Sequence, residues 1–132
     1  MDIFSSALSG LGVNIEFDQS NIFSCALTKE NEEQGLFLSA YRDLDNMSLH
    51  LSVMTRHEVN DMLDSHFWTE FATQAMGPFR NDMGIGILEG TRKITVYQSF
   101  QLSGKPQNYA MQIIEQLTEA AEYWDEKLHS PL

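Results

Sequence analysis

The sequence has 132 residues, of which 42% are apolar, and this length suits one globular domain over residues 1–132 with a single hydrophobic core. No apolar run approaches the ~20 residues that a membrane-spanning helix requires. The net charge of −11 at pH 7 repels phosphate backbones and anionic headgroups, so we expect neither nucleic acid nor a membrane as a partner.

The chain has a single cysteine, Cys25, which excludes an internal disulfide and is typical of a reducing compartment. No basic residue precedes Lys29, and the N-terminal segment lacks the continuous apolar stretch of a secretory signal. We therefore expect a cytoplasmic protein.

The first half of the chain predicts one short helix followed by strands. Apolar residues at helical spacing predict a helix over residues 2–11, which glycines at positions 10 and 12 end. Alternating or β-rich segments then predict strands over residues 13–17, 22–27, 36–41 and 48–53. Residues 29–35 read as a turn, and because no helix separates the strands, we expect antiparallel pairing.

A second helix is predicted over residues 58–76, ended by Gly77 and Pro78. Its apolar stripe is wider than the ~100° that covers a single surface. Two interpretations stay open: a well-buried helix, or a helix with one side on its own sheet and the other on a second copy of the chain.

The second half continues with a hairpin and a long helix. Residues 84–88 and 93–100 predict two paired strands, and the glycines at 84 and 86 indicate close approach of another backbone. Pro106 sits where a helix begins, and one apolar face follows it. The predicted order α-βββ-α-ββ-α describes an α+β fold with a twisted antiparallel sheet and helices.

No catalytic, cofactor-binding or metal site is predicted. His57 and His66 are nine positions apart and cannot share the i, i+4 face of a zinc-binding helix pair. Cys25 has no neighbouring base in sequence, and the pair Gly84 and Gly86 lacks the third glycine of a dinucleotide fingerprint. We therefore expect a protein that is not an enzyme and that uses no cofactor.

Several motifs follow one another in the second half: Phe-Trp-Thr-Glu-Phe at 67–71, Gly-Pro-Phe at 77–79, and Gln-Leu-Ser-Gly-Lys-Pro at 101–106, which opens the last helix. Together with the order of elements, they resemble the class I chaperones of type III secretion, the Tir-chaperone-like family. The first half agrees with that family in pattern only. The resemblance implies a homodimer in the bacterial cytoplasm that serves virulence by binding the N-terminal segment of a secreted effector and keeping it soluble and non-globular.

The resemblance also implies two sets of site residues. The second helix and the strand after it make the dimer interface in such proteins, which here points to Phe67, Trp68, Phe71, Ile85 and Ile87. The first helix and the outward sheet surface take up the effector, which here points to Phe4, Leu8, Phe37 and Leu38.

The alternative is a small α+β ligand-binding protein or enzyme subunit that reuses the same fold. It predicts an enclosed pocket with converging polar groups around His50 or His57.

Overall fold

A computed structural model describes residues 2–27 and 35–129. Its helices and strands are, in chain order, α1 (Ile3–Ala7), β1 (Ile22–Leu27), β2 (Leu36–Asp43), β3 (Ser48–Glu58), α2 (Ser65–Ala75), β4 (Gly84–Ile87), β5 (Lys93–Gln101) and α3 (Tyr109–His129). Short 3-10 helices cover Ser9–Leu11 and Gly77–Arg80. This order confirms the predicted α+β fold, while the turn predicted over residues 29–35 lies, apart from Gly35, outside the described residues.

The five strands form one antiparallel sheet in the order β1-β2-β3-β5-β4. Because successive side chains of a strand point to opposite faces, the sheet has a buried inner face and an outer face. The inner face carries the core residues Phe23, Leu36, Leu38, Ala40, Leu49, Leu51, Val53, Ile85, Ile94, Val96 and Phe100. The outer face carries the side chains of Ile22, Ser24, Ala26, Phe37, Ser39, Tyr41, His50, Ser52, Met54, Thr95, Tyr97 and Ser99.

The helices complete the core on the inner side. The long helix α3 packs against β3, β5 and β2 and contacts α1, whereas α2 packs against β4. One face of α3 is buried, at Ala110, Ile113, Ile114, Leu117, Ala121, Trp124, Asp125 and Leu128. Among the described residues, no helix is long and apolar enough to cross a membrane.

The strand predicted over residues 13–17 is wrong, because this segment has no regular structure. Its apolar residues Ile15 and Phe17 nevertheless pack against the core. The ring of Phe17 lies 6.3 Å from that of Phe23 and 4.6 Å from the guanidinium carbon of Arg42. Alternation therefore indicated burial correctly for Ile15 and Phe17 but not for Val13, which is 51% exposed, and the segment pairs with no strand.

Two helix boundaries also differ from the prediction. The first α-helix ends at Ala7 and continues only as a 3-10 turn. The predicted start of the second helix at position 58 is wrong, because Glu58 still pairs with Lys93 at the end of β3. The helix begins after Asp64, whose carboxylate accepts the backbone N–H of Phe67 at 2.9 Å.

The last helix begins three residues later than its proline indicated. Pro106 precedes α3, and its carbonyl accepts the backbone N–H of Tyr109 at 3.1 Å, so a turn leads into the helix.

Candidate functional site

The outer face of the sheet carries a row of small hydroxyl side chains between two rows of larger ones, and we call this strip the trough. Ser24 lies opposite Ser39, and Ser39 lies opposite Ser52, so three serines cross three strands in one row. The Oγ atoms of Ser24 and Ser39 are 3.2 Å apart. Short side chains along this row leave space above the sheet between the larger residues on either side.

Larger side chains form the two rims of this trough. On one side Phe37 lies opposite Met54, and on the other Tyr41 lies opposite His50. Phe37 is 40% and Tyr41 is 42% exposed. An aromatic surface of this kind, open to solvent, is suited to contact with another polypeptide.

The trough is also uncharged, although the chain as a whole is strongly acidic. No Asp, Glu, Lys or Arg occupies the three rows of paired outer-face positions that cross the sheet through Phe37, Ser39 and Tyr41. The face therefore offers apolar contact and hydroxyl hydrogen bonds rather than ion pairs.

His50 lies on this open face and not in an enclosed pocket. Its Nδ1 is 2.6 Å from the Oγ of Ser99, and its ring centroid is 5.4 Å from that of Tyr41. His57 lies elsewhere, with its ring stacked on that of His129 at a centroid distance of 4.7 Å. His50 is exposed and the His57 side chain is 41% exposed, so neither ring lies inside the enclosed pocket that the alternative predicts.

The part of the chain that the structure describes offers few candidate groups for catalysis or metal binding. That part holds no group of three His, Cys, Asp or Glu side chains placed to bind a metal ion. Burial raises the pKa of the Cys25 thiol, which favours the protonated form over the reactive thiolate.

Only one of the four residues expected to contact an effector is exposed. Phe37 lies on the rim of the trough, but Phe4, Leu8 and Leu38 are no more than 2% exposed. The expectation is corrected for these three, because their side chains pack in the chain's own core, where a partner cannot reach them. Helical spacing identified the buried side of α1 but not the side that faces solvent.

The solvent side of α1 instead carries Ile3, which is 50% exposed. Ile3 lines a cavity of about 340 Å³ together with Leu102, Pro106 and Ala110, between α1 and the start of α3. Ser6, Lys105 and Gln107 also line this groove, so its surface is part apolar and part polar. Sequence reasoning missed the groove, because it depends on how the β5–α3 connection passes α1.

The expected dimer residues of α2 divide between two sides of the helix. Phe67 is buried and meets the ring of Trp124 edge-on at 5.3 Å, and Phe71 lies 6.0 Å from the same ring. Trp68 points the other way and is 38% exposed. It lines a shallow, mostly apolar depression with Ala72 and Met76, spaced four residues apart along the helix. The wide apolar stripe thus serves the core on one side and is open on the other.

The strand after α2 shows the same division. Ile85 is 3% exposed and belongs to the core, whereas Ile87 is 41% exposed at the edge of the sheet. Leu88 follows it at 54%, and Phe79, in the 3-10 turn after α2, is 84% exposed. Large apolar side chains are therefore open to solvent on α2, on the turn that follows it and at the β4 edge.

No protein-family profile matches the chain, and no curated protein matches its sequence. The fold, in contrast, is similar to those of chains in three solved complexes, all at low sequence identity.

A chain of the ExsC-ExsE complex has a TM-score of 0.71 at 17% identity, covering 94% of this chain and 90% of that one. A chain of the HopA1-SchA chaperone-effector complex has a TM-score of 0.68 at 18% identity, covering 94% and 91%. A chain of the heterodimeric ExoU-SpcU complex from the type III secretion system of Pseudomonas aeruginosa has a TM-score of 0.65 at 14% identity, covering 97% and 98%. The chain therefore has the class I type III secretion chaperone-like fold over nearly its whole length.

Proposed function

We propose that this protein is a type III secretion chaperone that binds the N-terminal segment of a secreted effector and keeps it soluble and non-globular until export. The observation that carries the proposal is the uncharged, aromatic-rimmed outer face of the sheet, on a fold shared with a chaperone-effector complex. Phe37 and Tyr41 are the residues proposed to contact the effector there.

The groove beside Ile3 is proposed as a second contact for the same segment. A chain that is unstructured when free loses conformational entropy when it binds, and this offsets part of the gain from burying apolar surface. Coupled folding of this kind typically buries on the order of 1,000–3,000 Å². Several shallow contacts along one extended segment fit such a binding mode, which permits release.

The proposed active form is a homodimer. The exposed side of α2, with Trp68, Ala72 and Met76, and the edge residue Ile87 are the proposed contacts with the second copy. Phe67, Phe71 and Ile85 would then support the interface from the core side. A two-fold dimer presents each effector-binding surface twice, so one polypeptide that reaches both gains from a high local concentration.

We further propose that the protein works in the bacterial cytoplasm without catalysing a reaction and without a cofactor. Its acidic surface, with a net charge of −11, keeps a protein with exposed apolar side chains soluble. Binding of this kind needs only the surfaces described above.

The proposal is tested by co-expressing the full chain with N-terminal fragments of the secreted proteins encoded beside its gene. Complexes are purified and their masses measured by light scattering. We expect a free dimer of about 30 kDa, twice the 15.0 kDa of one chain, and a complex with one fragment. Failure of every fragment to co-purify, with the chaperone folded, would contradict effector binding. A free mass of one chain at micromolar concentration would contradict the dimer.

A further inference from the structure

Strand β1 is one edge of the sheet, and its outer side is open. It pairs with β2 on one side, and no described residue pairs with it on the other. The N–H of Arg42 donates to the carbonyl of Asn21 at 3.0 Å, so the odd-numbered residues here direct their backbone groups toward β2. Because this direction alternates along an antiparallel strand, the N–H and C=O groups of Ser24 and Ala26 face the open side.

This edge lacks the features that usually protect an edge strand. Natural proteins place charged side chains, prolines or bulges there, because an unprotected edge can pair with another molecule. The β1 sequence Ile-Phe-Ser-Cys-Ala-Leu contains no charged residue and no proline, and its pairing with β2 is regular over residues 22–27. Protection of this edge must therefore come from another segment.

The turn before β1 has the geometry of a three-residue β-hairpin loop. The N–H of Asp18 donates to the carbonyl of Ile22 at 2.9 Å, and the N–H of Asn21 donates to the carbonyl of Asp18 at 3.0 Å. Asn21 has a φ of 64°, the left-handed conformation that ends a loop of this type. The turn thus directs the residues before it back along the open edge of β1, antiparallel to that strand.

The register that this turn sets pairs three apolar residues of the preceding segment with three inner-face residues of β1: Phe17 with Phe23, Ile15 with Cys25 and Val13 with Leu27. The pair next to the turn is already in contact, since the rings of Phe17 and Phe23 lie 6.3 Å apart. Val13 is 51% exposed and Leu27 is only partly buried, so pairing over the full segment buries further apolar surface.

The segment is already extended in the structure. Nδ2 of Asn14 lies 2.9 Å from Oε1 of Glu16, so these two side chains point to the same side, as alternate residues of a strand do. Ile15, between them, packs against the core. What the structure lacks is the set of backbone hydrogen bonds from this segment to Ser24 and Ala26.

We propose that residues 13–17 are a strap that closes on β1 as a sixth antiparallel strand and guards this edge of the sheet, and that the structure shows the strap in its open form. Closure adds backbone hydrogen bonds between Glu16 and Ser24 and between Asn14 and Ala26. It turns no side chain from one face to the other, because the alternation of the segment already matches that of β1. Glu16 then supplies the charge that β1 itself lacks.

The native Cys25 permits a direct test of the register. In the closed strap Ile15 and Cys25 form a non-hydrogen-bonded pair, whose Cα atoms lie roughly 4.5 Å apart, and a disulfide spans about 4.4–6.8 Å. The full chain with Ile15→Cys, oxidised by copper phenanthroline, should lose both free thiols and remain a single chain on a non-reducing gel. The matched control is Glu16→Cys, whose side chain points to the other face and should form no disulfide within the chain.

A second pair of variants tests the backbone pairing and the guarding role. Glu16→Pro removes an N–H of the proposed ladder, whereas the matched control Glu16→Ala loses the same side chain and keeps that N–H. We expect the amides of Ser24 and Ala26 to exchange about tenfold faster in Glu16→Pro than in Glu16→Ala, because the closed strap shields them. At equal concentration, light scattering should show larger assemblies of Glu16→Pro than of Glu16→Ala.

Strap closure is overturned if Ile15→Cys forms no disulfide within the chain, if Glu16→Cys forms one equally well, or if Ser24 and Ala26 exchange at the same rate in both variants of the second pair. Equal masses of the second pair, together with unequal exchange, would overturn the guarding role and leave the strap in place. None of these measurements uses an effector, so failure of the proposed function is a separate result.

Discussion

Asp125 of α3 holds Arg56 of β3 at two points. Its Oδ1 accepts the backbone N–H of Arg56 at 2.8 Å, and its Oδ2 accepts the guanidinium Nη1 at 2.9 Å. The same Oδ1 also accepts the backbone N–H of His57 at 3.0 Å. This contact lies where the register of β3 shifts between Met54 and Glu58, so a carboxylate from the helix binds backbone groups at an irregularity of the ladder.

Removal of this carboxylate should weaken the fold. The Asp125 side chain is 6% exposed, and Asp125→Ala leaves two backbone N–H groups and a guanidinium without this acceptor. We expect a loss of about 3 kcal/mol in the free energy of unfolding, measured by urea titration, because two backbone N–H groups lose their acceptor and the buried Arg56 loses one of its carboxylate partners. This loss is at the low end of what breaking a buried ion pair costs, because Glu122 also binds Arg56, at 2.7 Å.

Two variants make this prediction specific. Asp125→Asn keeps an oxygen acceptor of the same shape and should lose about half as much stability. Glu126→Ala, at an exposed position of the same helix, should change the free energy of unfolding by less than about 0.5 kcal/mol. Equal stability of Asp125→Ala and wild type would refute the role of this contact.

The sequence pattern predicted most elements because their apolar periodicity agrees with their local signals. The alternation of Leu49, Leu51 and Val53 marks the buried face of β3, and these residues are all fully buried. In α3, the apolar face predicted from helical spacing is the face that packs on the sheet. Such patterns are strong because one side of the element meets a continuous core.

The same patterns could not decide what lies opposite a given side chain. Phe17 alternates like a strand residue, yet its own segment pairs with no strand, and its ring packs on Phe4 and Phe23. Leu38 and Phe37 are neighbours, and only the register of β2 in the sheet determines that Leu38 is buried and Phe37 exposed. Burial periodicity gives the two faces of an element, and tertiary structure decides which face is open.

The two proposed interaction surfaces should respond separately to substitution. Trp68→Glu places a charge in the proposed dimer contact, and desolvating that charge costs several kcal/mol, so the dimer should dissociate more than about a hundredfold more readily. Phe37→Glu on the outer face should leave the dimer intact and weaken effector binding instead. Analytical ultracentrifugation and calorimetry on both variants measure these effects.

Each variant is therefore the control for the other. Both side chains are about 40% exposed, 38% for Trp68 and 40% for Phe37, so neither substitution should unfold the chain. A Trp68→Glu protein that remains dimeric at the same concentration rules out the α2 interface, and a Phe37→Glu protein with unchanged affinity rules out that rim of the trough.

Gly77 should tolerate a side chain less well than Gly86. A Cβ built on Gly77 collides with the backbone carbonyl oxygen of Met83, which cannot move without displacing the start of β4, whereas a Cβ on Gly86 meets nothing within 4 Å. We expect Gly77→Ala to lower the free energy of unfolding by about 1–3 kcal/mol and Gly86→Ala to be nearly neutral. Urea titration of both proteins tests the order, and a Gly77→Ala protein as stable as Gly86→Ala would show that this turn relaxes freely.

The N-cap of α1 should make a small part of the stability dependent on pH. Asp2 accepts the backbone N–H of Ser5 at 2.7 Å, and this bond, together with Arg42 nearby, lowers the pKa of the Asp2 carboxyl below its ordinary value of 3.8. Because the folded pKa is the lower one, the carboxylate stabilises the fold above pH 3.8, and this contribution is lost as the pH falls from there through the folded pKa. Asp2→Ala should lower the free energy of unfolding by about 1 kcal/mol at neutral pH, and the difference from wild type should shrink in acid by the part that depends on the charge of the carboxylate. Asp2→Asn keeps a capping oxygen without the charge, so it should retain most of the stability and show none of this pH dependence. A wild-type advantage over Asp2→Ala that stays constant from neutral pH into acid would contradict the assignment of the cap to an ionised carboxylate.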